Sequence, residues 1–136
     1  MPMTALQLIR GTTRSRRDAA SSARILEIKT GLLKNGNRLF KAKIQTTRTP
    51  AGERKPPPPM YTYVTTVEVT PKQKCLVSCS CEDFTFFSEW TLKQQGAARI
   101  EYSNGDPSYD RNPTQALSGC KHCYALLTKL VDKGKL

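Results

Sequence analysis

From Ile25 to Cys81 the chain alternates apolar and polar positions with a period of two, the spacing of strands with one buried face. The runs ILEIKTGLLK and NRLFKAKIQTT flank Asn35-Gly36. Asn-Gly supplies the two positive φ values of a type I′ turn, so residues 25–47 predict a β-hairpin. In its second strand Phe40, Ala42 and Ile44 share one face and Lys41, Lys43 and Gln45 the other. One face is dry and the other basic. Tyr61, Tyr63, Thr65, Val67 and Val69 keep the same period, as do Cys75, Val77, Cys79 and Cys81 beyond a turn at Pro71-Lys72-Gln73. A β-meander thus delivers cysteines onto one face.

After Cys81 the period changes to that of helices. Asp83 is a candidate N-cap for the segment DFTFFSEWTLKQQ, closed by Gly96. Phe84–Phe87 and Phe86–Trp90 lie at i,i+3 and i,i+4, an aromatic stripe that predicts core. The last element, Lys121 to Lys133, offers Leu126, Leu127 and Leu130 for burial, with Lys129, Lys133 and Lys135 where cations suit the helix dipole. Residues 48–59, RTPAGERKPPPP, read as a stiff connector, and Tyr102 to Ser118 as loop. Residues 10–24 carry no apolar period and read as a flexible arm. The expected fold is α+β, a small antiparallel meander with two helices on one side. The expected division is an arm over 1–24 and one domain over 25–136.

Composition narrows this picture. At 136 residues the chain matches one ordinary domain. With 38% hydrophobic and 24% charged residues and a mean hydropathy of -0.52, its core should be small and in need of a staple. No run approaches the ~18 apolar residues of a membrane span, and no apolar segment follows the first arginines as a secretory signal requires. A cytoplasmic rather than secreted setting is expected, with no membrane partner. Net charge is +11, and residues 1–59 hold 13 Lys/Arg against 3 acids, whereas 60–136 hold 9 against 8. Such asymmetry points to a basic surface meeting phosphate or an acidic protein. Arg10, Arg14, Arg16, Arg17 and Arg24, with Lys41 and Lys43 of the hairpin, are the candidate contacts.

Five cysteines, an odd number without an export signal, argue for metal or redox chemistry over a disulfide framework. Cys79-Ser80-Cys81 ends a strand, where period two projects both thiols to one side. Cys120-Lys121-His122 follows Ser118-Gly119 and opens the last helix, so Cys120 must precede the helix proper with His122 in its first turn. Tetrahedral zinc accepts Cys₃His or Cys₄, which leaves Cys123 as the alternative to His122 as fourth ligand. Cys75 reads as a small buried hydrophobe.

This C-x-C and C-x-H arrangement, within Cys79-Ser80-Cys81-Glu82-Asp83-Phe84 and Gly119-Cys120-Lys121-His122 backed by Ala125-Leu126-Leu127, resembles the SWIM-type zinc finger. The resemblance covers Cys79 to about Leu130 and implies a ββα unit holding one structural Zn²⁺ within residues 75–133. Its spacer, 38 residues over 82–119, is longer than usual in that family. The same motifs look like those of SWIM-bearing proteins encoded among the structural genes of tailed phages. That likeness implies a virion component whose arm docks on protein subunits of a larger assembly.

Four protein ligands leave no position for an activated water, so the expectation is a non-enzymatic module. A nucleic-acid-binding accessory protein, meeting DNA or RNA through the arm and hairpin, is the alternative. A thiol oxidoreductase using Cys120-x-x-Cys123 is the remote one, since no βαβ pattern surrounds that motif and Cys79-Ser80-Cys81 would be unexplained.

Overall fold

A computed structural model describes residues 3–47, 60–81, 84, 88–98 and 117–136. The connector 48–59, Asp83, Phe86, Phe87 and the loop over 102–116 lie outside the described residues. The fold is α+β. Strands β1 (Met3–Thr4), β2 (Arg24–Leu32), β3 (Arg38–Thr47), β4 (Met60–Val69) and β5 (Lys74–Cys79) form one antiparallel sheet in the order β1-β5-β4-β3-β2. Helices α1 (Ala5–Gly11), α2 (Arg14–Ala19), α3 (Glu89–Gln94) and α4 (Lys121–Asp132) complete it.

Alternation places the core. Phe40, Ala42 and Ile44 of β3 are buried while Lys41 and Lys43 are exposed. Thr65, Val67 and Val69 of β4 and Cys75, Val77 and Cys79 of β5 continue the buried row. Leu126, Leu127 and Leu130, on one stripe of α4, pack into it. Phe84 is fully buried, as its place in the aromatic stripe predicts. Gly96, at φ 68°, closes α3: its N–H donates to the Lys93 carbonyl and the Ala97 N–H to that of Leu92, both at 2.9 Å. From there Ala97 accepts the Val77 N–H, continuing beyond Cys75 the side of β5 that β1 pairs.

The β2–β3 hairpin forms, but its turn is not type I′. Among the described residues Gln73 is the only non-glycine with positive φ, so Asn35 does not supply one. Instead Gly36 (φ 87°) ends a three-residue loop, donating to Leu33 O at 3.0 Å, while the Leu33 N–H donates to Asn37 O at 2.8 Å. Register is the reason. A two-residue turn would set Lys29 opposite Ala42 on the core face; the observed pairing sets Ile28 there. The β4–β5 turn repeats the geometry with Gln73 (φ 64°) in the glycine position.

The segment read as an arm is folded, with two helices more than expected. Met3 pairs with Cys75, Thr4 and Gln7 form a capping box at the start of α1, and Leu8 is fully buried. Helices α1 and α2 and the 3₁₀ turn Ala20–Ser22 all contact α4. Such short helices escape periodicity: α1 buries only Ala5 and Leu8, and α2 buries nothing.

Candidate metal centre

Two local devices present the thiols. The end of β5 aims Cys79 inward, and Cys81, two residues on, falls on the same side, while Cys120 caps α4 and His122 lies in its first turn. The structure brings Cys79, Cys81, Cys120 and His122 together, all buried, with their ligand atoms within 4.8 Å of one another. Nδ1 of His122 is 3.6 Å from Cys79 Sγ and 3.7 Å from Cys120 Sγ. Zn–S of ~2.3 Å and Zn–N of ~2.0 Å set an S···N tetrahedron edge of about 3.5 Å, close to both distances. The quartet therefore fits one structural metal ion. Cys123 stands beside it: its Cβ packs against Gly119, where an added Cβ would be 3.0 Å away.

Each sulfur already has a protein donor. The Thr65 hydroxyl donates to Cys79, the Phe84 N–H to Cys81 and the Cys123 N–H to Cys120, each at 3.4 Å. Such donors stabilise thiolate and orient it, the work of an outer shell around a metal. The Tyr63 ring lies 4.7 Å from the His122 ring, tilted 41°, and restricts its rotation. Without metal the thiols resist ionisation. Burial, then the neighbouring thiol of Cys120, pushes Cys79 well above 9.0, and burial and Cys123 do the same to Cys120. At Cys81 the Cys120 contact opposes, but Cys79 and burial prevail and the value rises.

The N-terminal segment braces the second half of the site. Thr13 N–H donates to Ser118 Oγ at 3.1 Å, and Thr12 Oγ1 donates to Leu8 O at 2.8 Å while facing Gly119. Gly11 lies so close to Leu117 that an added Cβ would stand 2.3 Å from its carbonyl oxygen. Only glycine fits. Residues 11–13 thus fix the backbone that presents Cys120, a role that sequence spacing 105 residues apart does not reveal.

The basic candidates do not form one surface. Arg10, Arg14, Arg17 and Arg24 are exposed and Arg16 is partly buried, whereas Lys41 and Lys43 point away from the sheet face that α4 covers. Arg17 donates to the carbonyls of Thr12 and Arg10, closing the end of α1, and Arg14 reaches Asp18 at 4.0 Å. Among the described residues no helix is long and apolar enough to cross a membrane. Compared with models of known families, with curated proteins and with solved structures, the chain matches none.

Proposed function

We propose that this chain is a non-enzymatic, zinc-stabilised docking module, a component of a larger assembly with a tailed-phage particle as its setting. One observation carries the reading: a closed, buried Cys₃His quartet in which every sulfur also accepts a hydrogen bond. Three thiolates and an imidazole are a soft donor set that suits zinc, and four protein ligands leave no site for an activated water. The C-x-C and C-x-H resemblance to SWIM-type fingers supports zinc over other soft metals. Its phage-gene counterpart supports the setting. Burial of both Cys120 and Cys123 speaks against thiol exchange, which needs an accessible thiolate.

Two experiments test it. Purified protein should carry one zinc per chain and unfold when chelator removes it; a chain that melts identically without metal contradicts the metal reading. Mass spectrometry of purified particles should find the chain at a fixed ratio to a structural subunit, and its confinement to the soluble fraction contradicts the setting.

A nucleic-acid-binding role is favoured by one feature. Lys29 pairs directly with Lys41 on the open sheet face beside Lys43, and with Glu27 already engaging Lys29 at 3.4 Å the face keeps an excess of positive charge that suits an anion. If phosphates bind there, Lys41→Ala with Lys43→Ala should flatten the salt dependence of duplex binding by about 0.9 log unit per lost contact.

A further inference from the structure

We propose that the trough between β2 and α4 docks an acidic amphipathic helix of a partner protein. The inference rests on the docking function above and names the partner's chemistry. Helix α4 packs on β4 and β5, so among the described residues the β2 edge of the sheet is poorly covered. Ile25 and Ile28 of β2 are only half-buried, although Ile44 and Ala42 opposite them are fully buried. Beside them opens a trough of about 930 Å³, flanked by α4 and by the 3₁₀ turn. A helix about 10 Å across covers two strand spacings of about 4.8 Å. Among the described residues α1, α2 and the 3₁₀ turn meet α4, and no helix lies over β2 itself.

Floor and rim select the occupant. Ile25, Ile28 and Ala125 offer an apolar seat with room for large side chains. Arg17, Lys129 and Lys133 line it against Asp132, whereas Arg24 and Glu27, paired with Gln45 and Lys43, contribute backbone and turn their side chains to the other face, where Glu27 meets Lys29 at 3.4 Å. The excess of cations calls for carboxylates on the flanks of the incoming helix. A second copy is disfavoured by a net charge of +11 on each chain. An added strand is disfavoured by the bulge between Ile25 and Glu27 in the β2–β3 pairing, which bends and twists the edge strand a newcomer would have to follow. A nucleic acid would find cations at the rim but no use for the apolar floor.

The test is NMR titration of the zinc-loaded full chain with a synthetic lactam-locked helix of leucines on one face and glutamates on the other. The controls are the same composition in scrambled order and a single-stranded oligothymidine. Amide shifts should move at Ala23–Ile28 and Tyr124–Lys133 with the amphipathic helix alone. Ala125→Glu should abolish the response, and Lys129→Glu with Lys133→Glu should weaken binding about tenfold or more while zinc content and melting stay unchanged. Should Ala125→Glu fail to fold, the exposed lysine pair carries the test. No shift at these amides at millimolar peptide, an equal response to the scrambled peptide, or a response there to oligothymidine alone overturns the proposal. A zinc-loaded, folded chain that ignores the peptide removes the trough assignment only; a chain folded without zinc removes the metal reading instead.

Discussion

His122 and Cys123 sit side by side on α4, and their surroundings separate them. The imidazole Nδ1 belongs to the group whose ligand atoms lie within 4.8 Å of one another, whereas the Cys123 thiol touches Cys120 from outside that group, with its Cβ against Gly119. Cys79→Ser, Cys81→Ser, Cys120→Ser and His122→Ala should each abolish stoichiometric zinc, while Cys123→Ser should retain it and lose about 1–2 kcal/mol of stability, checked by metal analysis and chemical denaturation. The four residues that come together were legible in sequence because each pair is local. Thr65, Tyr63 and the Phe84 N–H were not, since only pairing of β4 with β5 and the chain's return after Cys81 bring them in. Cys75 is fully buried, and burial pushes its thiol up to about 11, with Arg38 opposing. A raised value in the fold means stability is whole below the unfolded thiol value of 9.0 and declines as pH rises through about 11. Urea midpoints of metal-loaded wild type should fall over that window and those of Cys75→Ala should fall less. The proposed zinc affinity should run the other way, rising with pH by up to about tenfold per unit for each thiol deprotonated on binding.

Among the elements, the meander was readable because period two survives in every long strand, and α4 because three leucines mark its stripe. The turn types were not. Asn35-Gly36 satisfies a type I′ turn locally, yet core register overrules it and Gly36 alone takes the left-handed position. Gln73 occupies the matching position in the next hairpin at φ 64°, where a side chain costs about 1 kcal/mol. Gln73→Gly should therefore raise stability by roughly 0.5–1 kcal/mol in urea unfolding, less whatever the 3.2 Å contact of its side chain with Arg38 contributes. Helix α1, seven residues long, was too short to show a period and α2 has no apolar stripe, so their role is seen only in the fold. Gly11→Ala drives a methyl group into the Leu117 carbonyl, so it should destabilise the protein by about 2 kcal/mol or more and weaken zinc binding without touching a ligand. An unchanged zinc affinity in that variant would show that residues 11–13 do not brace Cys120.

At the scale of the whole molecule, the charge asymmetry was legible and its geometry was not. Alternation along β3 turns Lys41 and Lys43 to the face opposite α4, while α1 and α2 carry their arginines on the α4 side. Deleting residues 3–22 removes β1 and the buried Leu8, so the shortened chain should fail to fold rather than merely lose a contact arm, as circular dichroism would show. One measurement bears most directly on the claim that a Cys₃His zinc site holds the module together: X-ray absorption at the zinc edge on the full chain, with metal content determined on the same sample. The expected result is one zinc per chain with three sulfurs at about 2.3 Å and one imidazole nitrogen at about 2.0 Å. Four sulfurs, a shell of light atoms alone, or a folded chain without zinc would contradict it.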